Sequence, residues 1–112
     1  MFRTIPVFSL ALVVLAIFDA SNVDAADPIK GKAKAKAVCQ TCHGMDGIAT
    51  TPVAANLSGQ QEIYMRIQLE RYRAGKREDP QMNIIAQMLS DEDIENVAAY
   101  YSGIRVTIEI PE

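Results

Sequence analysis

Apolar residues along the chain separate a short leading run from a longer amphipathic region. The run spans residues 7–18 and is interrupted only by Ser9, with Arg3 ahead of it and Ala25 at the end of the more polar stretch behind it. A positive start, an apolar middle and a small residue at the cleavage point are the features of a secretory signal. We therefore predict that residues 1–25 are a signal peptide and that the protein is exported, in a bacterium to the periplasm.

An uncleaved membrane anchor is the alternative interpretation of the same run. A helix that spans a bilayer needs about 20 apolar residues, and the run over residues 7–18 is shorter than that. The signal peptide is therefore favoured. It leaves one candidate domain over residues 26–103 and a tail over residues 104–112.

Two later segments have apolar residues at helical spacing. The first begins near Gln60 with Ser58 as its N-cap and ends at Gly75, and its predicted inner face carries Tyr64, Met65, Gln68, Leu69 and Tyr72. The second begins behind Ser90, where acidic residues follow the cap, and ends at Gly103. Its predicted inner face carries Ile94, Val97, Ala98 and Tyr101.

A third helix is predicted over residues 28–38, which are rich in helix formers. Ile29, Ala33 and Ala37 recur at i, i+4 and i+8 and predict a narrow apolar stripe. Gly31 costs helix stability, so its presence favours close approach by another helix. Three main helices joined by long loops predict an all-α fold.

The tail departs from the helical pattern. Ile104, Val106, Ile108 and Ile110 alternate with polar residues, and a period of two predicts a β-strand. A single strand needs a partner edge, and the sequence does not identify one.

Composition adds one requirement to this picture. The chain has 112 residues and no Trp, so its core is small, and a small core is commonly supplemented by disulfides, a metal or a bulky cofactor. The net charge of −3 gives no indication of nucleic-acid binding.

Charged residues are unevenly distributed: lysines are concentrated in the first helix and acidic residues in the last. Both groups can be solvated helix faces. Alternatively, the lysines form a patch that steers an acidic redox partner.

The cofactor is indicated by residues 39–43, which read Cys-Gln-Thr-Cys-His. This is the attachment pattern of haem c. Two thiols three positions apart on one helical turn reach the two vinyl groups of haem and form thioether bonds. Cys39 and Cys42 are therefore predicted to hold haem covalently, and His43 to bind the iron from one side.

Three other interpretations of the two cysteines are weaker. A thioredoxin-like pair belongs beside a βαβ pattern, which is missing here. A structural zinc site needs four ligands, whereas the chain has two Cys and one His in total. An ordinary disulfide remains an alternative in an exported protein.

The second axial ligand is sought among the methionines because His43 is the only histidine. Met45 is too near His43 in sequence to reach the opposite haem face, and Met65 and Met88 have packing roles as their simplest explanation. Met82 follows Pro80 in what we predict to be irregular chain, so it is free to cross to the far side. We therefore predict Met82 as the axial thioether, a ligand that raises the reduction potential.

With these residues placed, the chain resembles the class I c-type cytochromes, especially short bacterial single-haem forms and the half-domains of di-haem cytochromes c. The resemblance is carried by residues 39–44, 56–60, 75–77, 79–82, 89–94 and 98–101, and by Gly31 and Tyr100 at the crossing of the first and last helices. It implies the class I cytochrome c fold around one covalent haem c, with Met82 as sixth ligand. One departure is Ala55, where the family has a proline whose carbonyl accepts a hydrogen bond from the ligand histidine.

The function implied by the resemblance is one-electron transfer without substrate turnover, so no enzyme activity is expected. The implied partners are redox proteins, namely a membrane oxidoreductase and a terminal oxidase or reductase, with peripheral membrane contact and no nucleic acid. A monomer is expected, with a dimer formed through the tail as a weaker hypothesis. The alternatives are a haem sensor or peroxidase-like protein with an open sixth position, and the electron-entry subunit of a larger dehydrogenase.

Overall fold

The computed structural model describes residues 24–112, so the predicted signal peptide lies outside the described residues except for its last two positions. Five helices follow in order: α1 Pro28–Val38, α2 Gln40–His43, α3 Glu62–Arg73, α4 Met82–Gln87 and α5 Asp91–Ser102. No strand occurs in this part of the chain. The all-α prediction is confirmed, with three long helices and two short ones. None of the helices described is both long and apolar enough to cross a membrane.

Helix α1 packs on α5 through its smallest residues. Gly31 and Ala35 are its buried positions, and a Cβ placed on Gly31 would overlap the carbonyl of Asn96 and lie 3.0 Å from the Cβ of Tyr100. The predicted close approach at Gly31 is therefore present. The predicted stripe is wrong, because Ile29 is 80% exposed and Ala33 and Ala37 are exposed with it.

Helix α5 supplies half of the buried apolar residues in the described chain. Its N-terminus has the predicted cap: the Ser90 hydroxyl accepts from the Asp93 N–H at 3.0 Å, while the Asp93 carboxylate accepts from the Ser90 N–H at 3.0 Å. This reciprocal pair satisfies two backbone donors. The buried residues of the helix include all four predicted ones, Ile94, Val97, Ala98 and Tyr101.

Helix α3 begins at Glu62, two residues after the predicted start near Gln60. Its N-cap is Gln61, which makes no side-chain capping bond, so the predicted cap at Ser58 is wrong. The Ser58 hydroxyl instead lies 3.5 Å from the carbonyl of Gly47. That carbonyl also accepts the N–H of Leu57 at 2.7 Å, so the long loop between α2 and α3 folds back on itself.

The tail after α5 has no regular secondary structure, so the strand prediction is wrong. Ile104 packs against the core, and Val106 lies beside Gly59. Ile108 and Ile110 are 80% and 86% exposed. No partner edge exists among residues 24–112, so the alternation has nothing to pair with.

Candidate functional site

The two cysteines and the histidine of the motif lie on one helical turn at the junction of α1 and α2. Cys39 ends α1 and begins α2, and its carbonyl accepts the His43 N–H at 3.0 Å. This i to i+4 bond fixes the helical spacing between the first thiol and the imidazole. Cys39, Cys42 and His43 all line the same cavity.

The imidazole of His43 is oriented by one backbone carbonyl. Its Nδ1 lies 2.7 Å from the oxygen of Ala55. A carbonyl oxygen only accepts hydrogen bonds, so the proton sits on Nδ1 and leaves the lone pair of Nε2 for a metal. The contact expected at Ala55 is therefore present, although alanine stands where the family has proline.

The chain behind His43 is anchored by two adjacent tyrosines of α5. The hydroxyl of Tyr100 donates to the carbonyl of Met45 at 2.6 Å, and the hydroxyl of Tyr101 donates to the carbonyl of Gly44 at 2.8 Å. Burial, followed by the nearby Cys39 and Tyr100, raises the pKa of Tyr101. The hydroxyl consequently stays protonated and keeps donating throughout the neutral range.

The cavity that joins these residues has a volume of about 1030 Å³. Cofactor and small-molecule sites occupy roughly 300–1,000 Å³, so this one is at the large end. Its wall is built from α2, the following loop, α3, the segment before α4, and α4 itself. The predicted inner face of α3, from Tyr64 to Tyr72, forms one side of it.

The structure brings Met82 to this cavity together with Cys39, Cys42 and His43. Met82 is the first residue of α4, so the prediction that it lies in irregular chain is wrong. Its N–H donates to the Asp79 carboxylate at 2.8 Å. That bond provides a reason for the helix to begin here, because a carboxylate satisfies an N–H that has no partner inside the helix.

The other methionines of residues 24–112 differ in position. Met65 is buried at 5% exposure within the core cluster and also reaches the cavity wall. Met45 packs against the core. Met88 is 58% exposed and lines the cavity. The prediction that Met88 packs in the interior is therefore wrong. Met82 and Met88 are thus the two cavity methionines on or beside α4.

Asn83, which the sequence analysis did not single out, connects the end of α3 with the segment before α4. Its amide donates to the carbonyl of Tyr72 at 2.7 Å and to that of Arg77 at 2.8 Å. Its side-chain oxygen accepts the Asp79 N–H at 2.7 Å. One side chain thus fixes the segment that leads to Met82. The signal in the sequence is an Asn four residues after the Asp of an Asp-Pro turn. Asn and Asp side chains readily form hydrogen bonds with nearby backbone groups.

The cysteines are not arranged for thiol redox chemistry. Burial raises the pKa of the Cys39 thiol to about 11, against a smaller opposing effect of Lys34, whereas redox-active cysteines have lowered pKa values. Both thiols are free. Among residues 24–112 no group of three or more His, Cys, Asp or Glu side chains could hold a metal ion by itself.

Haem fits the residues of this cavity. The Oγ1 of Thr51, on the cavity wall, is buried without a hydrogen-bond partner. Several large apolar side chains that line the cavity are solvent exposed, including Val53 at 90% and Ile84 at 65%. A broad apolar ring with polar substituents would cover such side chains and give such an oxygen a partner. Thiols for covalent attachment and an oriented imidazole are already in place.

Comparison with known proteins agrees with this geometry. Residues 29–103 match the family model described as cytochrome c. Cytochrome c-554(548) from Halomonas halodenitrificans is 44% identical over 68 residues, which cover 58% of this chain and 82% of that protein. Cytochrome c4 from Pseudomonas aeruginosa is 38% identical over 84 residues, which cover 75% of this chain and 41% of that protein.

A solved structure shows the same likeness. Reduced recombinant cytochrome c4 from Pseudomonas stutzeri matches with a TM-score of 0.67 and 35% identity, covering 75% of this chain and 48% of that one. The chain therefore spans less than half the length of these cytochromes c4.

Proposed function

The chain belongs to the cytochrome c family, and we propose that it is a single-haem electron carrier of the periplasm. Its cofactor is haem c, bound covalently, and Cys39 and Cys42 fit the attachment motif. The observation that carries the proposal is that one cavity is lined by both thiols, by His43 and by Met82. The hydrogen bond from Nδ1 of His43 to the Ala55 carbonyl fixes the tautomer of the imidazole.

Four side chains would hold the haem, two through its vinyl groups and two through its iron. Cys39 and Cys42 form the two thioethers, His43 binds the iron through Nε2, and Met82 binds it through sulfur. Met82 is favoured over Met88 because its backbone is tied down by Asp79 and its neighbour Asn83 makes three hydrogen bonds. Met88 lies beyond the end of α4, where its side chain is 58% exposed.

Electron transfer follows from a site that changes little between oxidation states. The haem iron supplies a one-electron couple, and a thioether ligand raises its reduction potential. The chain keeps the ligands in place through the Ala55 carbonyl on the histidine side and the Asn83 bonds on the methionine side. A rigid, apolar site reduces the reorganisation that each electron transfer requires.

The setting of the proposed carrier follows from the predicted signal peptide. An exported protein with covalent haem would meet a membrane oxidoreductase and a terminal oxidase or reductase, through a small transient interface. Turnover of a substrate is not part of the proposal, and a monomer with peripheral membrane contact suffices.

The visible spectrum of the oxidised protein tests the ligation, together with its response to carbon monoxide. A His–Met site has the sulfur-to-iron charge-transfer band in the ferric form and excludes the gas in the ferrous form. A ferrous protein that binds carbon monoxide readily, without the ferric band, would support the sensor or peroxidase-like alternative instead. Stable co-purification with a dehydrogenase from native membranes would support the subunit alternative.

A further inference from the structure

Arg77 occupies a fixed position on the cavity wall between α3 and α4. Its guanidinium lies over the ring of Tyr72, 4.7 Å from the centroid, and donates to the side-chain oxygen of Gln68 at 2.7 Å. Its carbonyl accepts from Asn83 at 2.8 Å. Both the side chain and the backbone of Arg77 are therefore restrained by the protein itself.

The charge of Arg77 has no anionic partner in the described chain. None of the ion pairs among residues 24–112 includes it. Of the two acids that line the cavity with it, Asp79 already accepts the N–H groups of Gln81 and Met82, and Glu78 makes no ion pair with it. Gln68 and Tyr72 are neutral. A restrained cation on a cofactor cavity is suited to an anionic group of that cofactor.

Haem carries two propionates on the edge opposite its vinyl groups. The vinyl edge would be held at Cys39, where α1 meets α2, and at Cys42 in α2. Arg77 lines the same cavity from the segment between α3 and α4. A haem held at the two thiols would direct its propionates away from them, toward the other walls of the cavity, and in the described chain Arg77 is the one arginine or lysine on those walls.

We propose that Arg77 binds a haem propionate and that Tyr72 and Gln68 hold the guanidinium ready for it. Arg is suited to this role because its planar fork can donate two parallel hydrogen bonds to one carboxylate. The positive charge also favours the reduced haem, which carries one positive charge fewer. The inference rests on covalent haem at Cys39 and Cys42 and does not depend on Met82 being the sixth ligand.

The test compares Arg77→Gln with Lys76→Gln, since both remove one positive charge from neighbouring positions and Lys76 does not line the cavity. In redox titrations of the holoprotein, we expect Arg77→Gln to lower the reduced-to-oxidised ratio at a given ambient potential about threefold. That ratio corresponds to ~30 mV for one electron. Lys76→Gln should shift the reduction potential by less than half as much. High salt should abolish the Lys76 effect and leave most of the Arg77 effect, because a direct contact is poorly screened.

Resonance Raman spectra add a measurement of the propionate bending bands, which do not respond to surface charge. The propionate bending bands should shift in Arg77→Gln, shift less in Arg77→Lys, and stay unchanged in Lys76→Gln. Equal potentials and unchanged propionate bands in Arg77→Gln would overturn the proposal. If Arg77→Gln does not mature, Arg77→Lys is used instead: it keeps the charge but lacks the planar fork, so its propionate bands should still shift while those of Lys76→Gln stay unchanged, and unchanged bands in both would overturn the proposal. Absence of the ferric charge-transfer band in the wild type would count against the proposed ligation by Met82 and leave this inference standing.

Discussion

The hydroxyl of Tyr101 donates to the carbonyl of Gly44 at 2.8 Å, although the two residues are 57 positions apart. Tyr101 is fully buried in α5, and Gly44 directly follows the histidine of the motif. The last helix therefore fixes the chain that carries His43, the proposed axial ligand. The core and the cofactor site are stabilised by the same contact.

Tyr101→Phe keeps the ring and removes this hydrogen bond. We expect it to lower the free energy of unfolding of the holoprotein by about 1 kcal/mol, because the carbonyl of Gly44 loses its partner. Urea unfolding followed by circular dichroism measures the change. Thr107→Val removes a hydroxyl from the exposed tail, away from the cavity; it is the control and should change the free energy of unfolding by less than ~0.5 kcal/mol. Equal effects of the two variants would contradict a special role for Tyr101.

Asn83→Ala removes three hydrogen bonds from the segment before Met82. We expect the sixth ligand to dissociate more readily, so the apparent affinity of the ferrous protein for carbon monoxide should rise by about tenfold or more. Asn56→Ala is a matched control, since the Asn56 side chain holds the Ala49 N–H at 2.8 Å on the histidine side of the site. If Asn56→Ala raised the affinity as much, Asn83 would have no particular part in positioning Met82.

Met82 and Met88 can be separated by a pair of alanine variants. Met82→Ala should lose the sulfur-to-iron charge-transfer band, bind carbon monoxide and have a lower reduction potential, because the thioether ligand is gone. Met88→Ala should keep the band and resist the gas. The reverse pattern would make Met88 the ligand.

Acid stability depends in part on Asp93. Partial burial tends to raise its pKa, but the backbone and hydroxyl of Ser90 and the ammonium of Lys34 outweigh that effect and hold the pKa below its usual 3.8. A carboxylate with a lowered pKa stabilises the fold above the unfolded pKa and loses that contribution as the pH falls through the folded pKa.

Asp93→Asn should therefore be less stable than the wild type at neutral pH, by about 1 kcal/mol for a damaged helix cap. The difference should shrink as the pH falls below about 4. Urea unfolding at a series of pH values measures it. Glu109→Gln removes the same charge from the exposed tail and should change stability little at any of them. A difference between Asp93→Asn and the wild type that stayed constant with pH would contradict the assigned role of Asp93.

Features that depend on local chemistry could be predicted from the sequence. The Ser90 cap with Asp93 and the buried face of α5 follow from side-chain bonding and helical spacing within a few residues. The attachment motif is equally local, because Cys39, Cys42 and His43 lie within one turn.

Features that depend on the approach of distant elements could not be predicted. In α1 the Gly31–Ala35 face and the Ile29–Ala33–Ala37 face are both apolar, and the backbone of α5 decides between them because only the smaller face lets it come close. The start of α4 at Met82 depends on the Asp79 carboxylate. The tail alternates like a strand, but pairing needs an edge that residues 24–112 do not provide.

The mass of the denatured protein, expressed from residue 1 in cells that attach haem c, tests the central claim most directly. The account predicts a chain that begins after Ala25 and is heavier than its polypeptide by one haem, which stays attached through denaturation because both thioethers are covalent. A mature chain without haem and lighter by two hydrogens would show that Cys39 and Cys42 form a disulfide, and would contradict the account.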